Sequence, residues 1–184
     1  MKGSEFVKKY KYAAINSAIR SGVYPSITLA QAILESGWGE SSLSKAPYYN
    51  FFGIKGAGVN MPTTEWNGSS YVGINSNFRT YPNAKASFKD HAKFLQENSR
   101  YETNGVFAAK NYIEQAQALK KAGYATAPDY DQKLINLINQ ENLNRWDWVV
   151  QYGWLLKLLA LGITLTILFF IGKAIYKQYN KSKK

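Results

Sequence analysis

The segment YPSITLAQAILESGWG, residues 24–39, decides the fold, because it contains one short helix with a predicted start, a buried face and a stop. Pro25 ends the element before it, and Ser26 is a suitable N-cap. Gly37 stands where a left-handed C-cap is expected. The apolar residues between them cover a wider surface than an exposed helix needs, which predicts burial: Ile27, Leu29, Ala30, Ile33 and Leu34.

Glu35 is the charged residue of this helix and lies in its last turn. The carbonyl end of the helix dipole and the apolar surroundings both disfavour a carboxylate, so its pKa is predicted to rise. A carboxyl group that keeps its proton near neutral pH is what a general acid requires. A glutamate at a helix end can also simply point into water, and the pattern alone leaves both interpretations open.

The composition excludes several kinds of site. The 184 residues contain no cysteine, which rules out disulfides, a cysteine nucleophile and thiolate metal ligands. The single histidine, His91, argues against a histidine-rich metal site or a Ser–His pair, and it is predicted to be a structural or surface residue.

The charge of the chain is distributed unevenly. Residues 1–150 carry 17 Lys and Arg against 12 Asp and Glu, a net charge of +5, whereas residues 151–184 carry six lysines and no acid. A basic domain suits an anionic polymer such as cell-wall glycan or nucleic acid. Nucleic acid is the weaker candidate, because no dense basic patch or known binding motif is apparent.

The rest of the first 147 residues predicts a mainly helical α+β domain. Residues 1–22 are predicted to form an amphipathic helix that Gly22 closes, and residues 45–58 are predicted to form a loop. Residues 62–81 are rich in Thr, Tyr, Val and Ile around an Asn-Gly turn signal, which predicts one or two small β-hairpins. Three further helices are predicted at 84–99, 106–121 and 130–143.

Five motifs resemble, in the same order, those of glycoside hydrolase family 73, the endo-β-N-acetylglucosaminidases that include flagellar-rod and autolysin peptidoglycan hydrolases. The resemblance covers about residues 3–145. It implies a lysozyme-like α+β fold with a helical lobe and a small hairpin lobe. The motifs are LAQAILESGWGESSLS, YYNFFGIKG, TTEW, FRTYPNAKASFKDHAKFL and AGYATAPDYDQKLINLI.

The resemblance also implies the site. Glu35 matches the general acid, Glu65 the second carboxylate, and Tyr124 a tyrosine that faces the active site. Spacing alone would make Glu65 a surface glutamate. Ala127 stands where the family commonly has Asp, which removes a local hydrogen-bond acceptor near Tyr124. No metal or organic cofactor is implied, and the expected substrate-binding residues are Trp38, Asn50, Phe52 and Trp66.

The C-terminal segment, residues 148–184, is predicted to form a transmembrane helix followed by a basic tail. Residues 152–172 include one charge, Lys157, and as a helix would extend for roughly 32 Å, enough to cross a bilayer. Trp and Tyr lie at both ends, as at membrane interfaces. A buried core helix is the alternative interpretation.

Lysines after the predicted span favour a cytoplasmic or interior C-terminus. No secretory signal peptide is recognisable before the domain. Three routes therefore stay open: the span acts as a late signal-anchor, the domain crosses after membrane damage, or the protein resides in the internal membrane of a phage particle. The oligomeric state is not predicted.

The functional hypothesis is a membrane-anchored peptidoglycan hydrolase that cuts the β-1,4 bond leaving N-acetylglucosamine at the reducing end. A role in phage lysis is one option within this hypothesis. Inverting, retaining and substrate-assisted mechanisms are all compatible with the sequence. A muramidase or lytic transglycosylase of similar fold is the first alternative. A wall-binding or virion structural protein with weak or no turnover is the second.

Overall fold

In the computed structural model, residues 3–66, 68–153, 155, 158, 161–167, 169–170 and 173 are described. Glu65, Trp66 and Tyr71 are described by their backbone only. The chain divides into two compact units, Met1–Val150 and Gln151–Lys184.

The first unit is mainly helical and has one small antiparallel sheet, as expected for an α+β domain. Two 3-10 turns, Ser42–Ser44 and Leu143–Trp146, lie between the longer elements. The described elements are, in order, α1 (Gly3–Ser21), α2 (Pro25–Ser36), β1 (Gly58–Trp66), β2 (Tyr71–Arg79), α3 (Ala84–Glu97), α4 (Ser99–Thr103), α5 (Tyr112–Lys121), α6 (Tyr130–Gln140) and α7 (Trp148–Gln151).

Helix α2 lies at the centre of the first unit and packs against α1, α5, α6 and the 3-10 turn that begins at Leu143. Ile27, Leu29, Ala30 and Ile33 are buried, as predicted for this helix. The prediction was wrong for Leu34, whose side chain is 38% exposed because it lies outside the face that packs on the core. Gly37 ends the helix in the left-handed conformation, with φ of 54°, and its N–H donates to the Ile33 carbonyl.

The predicted N-cap of α2 was wrong. The helix begins at Pro25, so Tyr24 occupies the cap position and Ser26 lies inside the first turn. Proline suits that first position, because its fixed φ is helical and its missing N–H is not needed there. The Ser26 N–H instead donates to Asp147 Oδ1 at 3.0 Å, and its hydroxyl donates to Asp147 Oδ2 at 2.6 Å. A carboxylate 121 residues away therefore caps this helix.

The β-hairpin is longer than predicted, because residues 58–61 already pair with 76–79. The antiparallel register runs from Gly58 opposite Arg79 to Trp66 opposite Tyr71. The Asp90 carboxylate on α3 accepts hydrogen bonds from Arg79 at 2.8 Å and from the Tyr81 hydroxyl at 2.7 Å. These bonds fix the base of the hairpin to the helical lobe.

The helix predicted at 106–121 begins later, at Tyr112. Gly105, with φ of 82°, turns the chain after α4, and Val106 is buried without being helical. Asn111 then caps α5, since its side-chain oxygen accepts from the Glu114 N–H at 2.9 Å. Similarly, α6 ends at Gln140 rather than at residue 143, because Asn142 is left-handed, with φ of 50°.

The predicted transmembrane span at 152–172 and the basic tail fall partly or wholly outside the described residues. No helix among the described residues has both the length and the apolar character needed to cross a bilayer. Residues 161–167 are helical. In the second unit, Gln151–Lys184, several large apolar side chains are exposed. They are Leu155, Leu158, Leu161, Ile163, Leu165, Ile167, Phe169 and Phe170.

Candidate active site

A groove of about 530 Å³ lies between the helical lobe and the hairpin. Its lining combines the end of α2, the loop after it, the loop at 52–55, the first half of β1, one residue each from β2 and α3, and two residues from the loop after α5. The residues that line it include Glu35, Leu43, Phe52, Ile54, Lys55, Met61, Thr63, Phe94 and Tyr124.

Glu35 lies in the last turn of α2 and lines this groove, as predicted. Its side chain is exposed to the groove, although the protein atoms around its carboxyl group still remove part of its hydration. This desolvation raises its pKa to about 7, and a hydrogen bond from Tyr130 opposes the rise. The Tyr130 hydroxyl lies 3.1 Å from Glu35 Oε1. Near neutral pH, a substantial fraction of Glu35 therefore keeps its proton.

Gln31 and Tyr130 form a short chain of hydrogen bonds that ends on Glu35. Gln31 Nε2 donates to the Tyr130 hydroxyl oxygen at 3.1 Å, and the Gln31 side chain is fully buried. Since the oxygen accepts from Gln31, the one hydrogen of the phenol is left to donate to Glu35 Oε1. Burial raises the pKa of Tyr130 well above its usual value, so the phenol keeps that hydrogen.

Sequence analysis missed the roles of Gln31 and Tyr130. A usable signal was present, because Gln31 is a long polar residue one turn before Glu35, in a mainly apolar part of the helix. The position of Tyr130 carried no such signal, since 95 residues separate it from Glu35.

Tyr124 also lines the groove. Its ring stacks on that of Tyr130, with centroids 5.6 Å apart and an angle of 18° between the planes. Its buried hydroxyl has no hydrogen-bond partner among the described residues. Burial raises its pKa well above the usual value, so the phenol is neutral. Alanine at position 127 brings no side-chain acceptor to this hydroxyl, in keeping with the weaker hold expected on Tyr124.

Phe52 lines the groove and is supported from behind by His91. The two rings are stacked, with centroids 4.0 Å apart and an angle of 12° between the planes. His91 is fully buried, and burial lowers its pKa to about 3, so the imidazole is neutral at physiological pH. Of the two predicted roles, structural or surface, His91 has the structural one.

Asn50 lies behind the groove and not in its lining. Its amide nitrogen donates to the Ile54 and Arg79 carbonyls, each at 2.9 Å, and its Oδ1 accepts from the Phe52 and Ile54 N–H groups. With these bonds and 1% exposure, the side chain has no free group to offer a substrate. We therefore reassign Asn50 to holding the loop that carries Phe52.

Trp38 likewise packs away from the groove. Its ring meets Phe6 of α1 edge-on, with centroids 6.0 Å apart, and its backbone is left-handed, with φ of 62°. It closes the core after α2 rather than lining the substrate cleft. The side chains of Glu65 and Trp66 lie outside the described residues. The backbone of Glu65 is in β1 opposite Val72, two residues beyond Thr63, which lines the groove.

The sequence matches the family described as glucosaminidase, mannosyl-glycoprotein endo-beta-N-acetylglucosaminidase, over residues 11–143. It is 39% identical over 158 residues to a probable N-acetylmuramidase of Lactococcus lactis subsp. cremoris (strain MG1363), and the match covers 80% of this chain and 36% of that protein. It is 35% identical over 144 residues to the peptidoglycan hydrolase FlgJ of Escherichia coli (strain K12), which covers 73% and 45%.

The fold is similar to that of the catalytic domain of the autolysin Auto from Listeria monocytogenes. The TM-score is 0.69 at 37% sequence identity, and the match covers 78% of this chain and 86% of that domain. The glycoside hydrolase domain of FlgJ from Salmonella typhimurium gives a TM-score of 0.62 at 31% identity, with coverage of 86% and 98%. The match to the Lactococcus protein spans about a third of that protein's length.

Proposed function

The chain belongs to the glucosaminidase family, and on that premise we propose that it hydrolyses the glycan strands of peptidoglycan. The observation that carries the proposal is Glu35, a carboxyl group on the groove whose pKa is raised to about 7. Such a group can give a proton to a glycosidic oxygen at neutral pH, which an ordinary glutamate cannot do efficiently. The peptidoglycan substrate is supported by the names of relatives such as FlgJ.

In the proposed reaction, Glu35 donates its proton to the leaving glycosidic oxygen as the bond from that oxygen to the sugar C1 breaks. The oxygen of one water molecule bonds to C1, and the proton released from that water returns the enzyme to its starting state. Tyr124 also borders the groove, and the family motif supports it as the residue that orients the substrate's acetamido group. The reaction consumes one water for each bond cut.

Glu65 is the proposed second carboxylate, which stabilises the positive charge that develops at C1 or activates the water. Its support is the family motif and the position of its backbone in β1, two residues beyond the groove-lining Thr63. The hairpin would then deliver one carboxyl group from the side of the groove opposite to α2.

The bond that leaves N-acetylglucosamine at the reducing end is our first candidate, in line with the family description. Cleavage at the other glycosidic bond is the second candidate, because the Lactococcus relatives are named probable N-acetylmuramidases. The two activities share an acid and a groove, and they differ in which sugar occupies the position next to Glu35.

Product analysis separates the candidates. The full chain is incubated with purified peptidoglycan, the products are reduced with borohydride, and the new ends are identified by mass spectrometry. We expect reduced N-acetylglucosamine ends, and their rate of formation should fall by about 10² to 10⁴ in Glu35→Gln, because the general acid is lost. Glu102→Gln, a change at an exposed glutamate of α4, is the matched control and should retain activity.

Other outcomes have distinct meanings. Reduced or anhydro-muramic ends would move the protein to the second candidate. A folded protein that binds peptidoglycan without forming new ends would contradict the enzymatic proposal and leave a wall-binding or virion structural role. Equal activity in Glu35→Gln and the wild type would refute the role of Glu35.

We also propose that residues 152–172 anchor the protein in a membrane, with the basic tail on the cytoplasmic or interior side. The support is the apolar sequence of the segment and the exposure of its described apolar side chains, such as Leu161 and Phe169. A role in phage lysis stays a prediction from this enzyme-plus-anchor layout.

A further inference from the structure

A second groove, on the face of the domain formed by α1 and α3, is lined by basic residues. It has a volume of about 590 Å³. Arg20 comes from the last turn of α1, whereas Lys85, Lys89 and Lys93 follow one another at four-residue intervals along α3. The other residues of the lining are Asn16, Ser17, Ala92 and Gln96, so no acidic residue lines the groove.

The cations of this groove are largely uncommitted. Arg20, Lys85 and Lys89 form no ion pair with any residue in the described part of the chain. Lys93 lies 3.5 Å from Glu97, but both side chains are about 60% exposed (62% and 60%), and such surface pairs are weak in water. Placing four like charges around one concavity without acids costs stability, so the arrangement suits an anion that occupies it.

The walls of the groove are held together beneath the cations. The Ser17 hydroxyl donates to the Phe88 carbonyl at 3.2 Å, and Gln96 Nε2 donates to the Arg20 carbonyl at 3.4 Å. These bonds join the two helices directly, so the spacing of their basic side chains is set by packed backbone. The groove does not need to form when a ligand arrives.

The spacing of the lysines indicates the shape of the ligand. Residues four apart on a helix are separated by about 6 Å along its axis, so the three lysines form a line of roughly 12 Å. A linear polymer with one negative charge every 6–7 Å matches this line, and phosphodiester chains have charges at such intervals. A recessed line of cations suits a single strand better than it suits a flat bilayer surface.

We propose that the groove between α1 and α3 binds a linear phosphodiester polymer of the cell envelope. The spacing of the lysines supports the phosphodiester class, whereas the restriction to the cell envelope rests on the proposed peptidoglycan substrate. Lys85 and Phe94 are nine residues apart on α3, which places them on opposite sides of the helix. Phe94 lines the catalytic groove, so a polymer on the lysine side would leave the glycan groove open.

Fluorescence anisotropy with a labelled poly(glycerol phosphate) chain tests the proposal on the full 184-residue protein in nonionic detergent. For four phosphate contacts, affinity should fall about 50-fold between 50 and 200 mM salt, from a slope of about −0.7 per contact. In the triple variant Lys85→Gln, Lys89→Gln and Lys93→Gln, affinity should fall only about 3-fold over the same salt range, since one phosphate contact remains.

A matched control removes three exposed lysines elsewhere, Lys8→Gln, Lys110→Gln and Lys121→Gln, and should keep the 50-fold dependence. Glutamine is a good helix former, so both variants should fold, which circular dichroism checks. Equal loss of binding in the two triple variants would overturn the proposal, as would no binding by the wild type at 50 mM salt.

Two comparison ligands test the class of polymer. The two ligands are single-stranded DNA of equal charge and anionic lipid vesicles. Tighter binding of either one than of poly(glycerol phosphate), if the triple lysine variant loses it, would overturn the proposal. Glu35→Gln should bind the polymer like the wild type, and the lysine variant should still cleave peptidoglycan stripped of phosphate polymers. Failure of the hydrolase proposal is therefore distinguishable from failure of this one.

Discussion

Glu35 depends on one neighbour for its orientation and for part of its proton affinity. The Tyr130 hydroxyl donates to Oε1, so Oε2 is the oxygen that carries the acidic proton of Glu35. The same bond favours the carboxylate and thus holds the pKa of Glu35 below the value that burial alone would give. Tyr130 is therefore a positioning residue for the proposed acid.

The variant Tyr130→Phe tests this positioning role. Without the phenol donor, the pKa of Glu35 should rise further, so the alkaline limb of the kcat/KM profile should move to higher pH. Below that limb, activity should fall about 10-fold, the equivalent of one hydrogen bond of roughly 1.4 kcal/mol. A pH series of initial rates on peptidoglycan measures both effects.

Tyr112→Phe is the control, because the Tyr112 hydroxyl binds Asn139 on the exposed surface and does not touch the groove. A merely structural role for Tyr130 would lower activity evenly at every pH. An alkaline limb that stays at the wild-type pH in Tyr130→Phe would contradict the positioning role.

Among the elements, α2 depends on a cap from outside its own sequence. Asp147 is 6% exposed and binds the Ser26 N–H and hydroxyl at the start of the helix. Burial raises the pKa of Asp147 to about 6, and the bonds from Ser26 oppose the rise. Since α2 also carries Glu35 in its last turn, the cap supports the element that positions the proposed acid.

We expect Asp147→Ala to lower the free energy of unfolding by about 1–3 kcal/mol, because the Ser26 N–H loses its buried acceptor. Asp147→Asn retains an acceptor and should lose less. Urea unfolding followed by circular dichroism measures both. An unchanged free energy of unfolding in Asp147→Ala would show that the cap is not needed.

The pH dependence of stability follows from the same carboxyl group. Its pKa in the folded protein is above the ordinary value of 3.8, so its contribution is complete below pH 4 and is lost as pH rises through about 6. Asp147→Asn should abolish this decline in the free energy of unfolding. The comparison is made in a Glu35→Gln background, because Glu35 also has a raised pKa and produces its own decline.

Asp129→Asn is the control for this measurement. Asp129 is exposed, and its hydrogen bond with Lys133 lowers its pKa, so its contribution has the opposite sign and is lost as pH falls. A decline between pH 4 and 6 that persists in Asp147→Asn but disappears in Asp129→Asn would contradict the assignment.

For the whole molecule, the prediction concerns the proposed anchor. The full chain should stay with lipid vesicles after a high-salt wash, whereas residues 1–150, which form one compact unit, should not. Leu161→Arg with Leu165→Arg should release the full chain, since each arginine near the bilayer centre costs about 2.5–3.5 kcal/mol. Release of the wild type by salt alone would indicate electrostatic binding through the lysine-rich tail and contradict the anchor.

The sequence alone was sufficient for those features that depend on neighbours within a few residues. The burial of most of α2, its left-handed stop at Gly37 and the pairing of β1 with β2 follow from local periodicity and backbone preferences. The placement of Glu35 at the end of a buried helix was also readable, because the helix dipole and the apolar pattern act within one turn. Family motifs added Tyr124 and Phe52, which both line the groove.

The tertiary structure decided what residues far apart do to one another. Asp147 rather than Ser26 caps α2 from 121 residues away, and Tyr130 reaches Glu35 across 95 residues. Asn50 was expected to bind substrate, but its amide nitrogen donates to the Ile54 and Arg79 carbonyls, which join its loop to the end of β2. No local pattern encodes these contacts, because hydrogen bonds and desolvation depend on atoms within a few ångströms in space, and only the packed chain brings those atoms together.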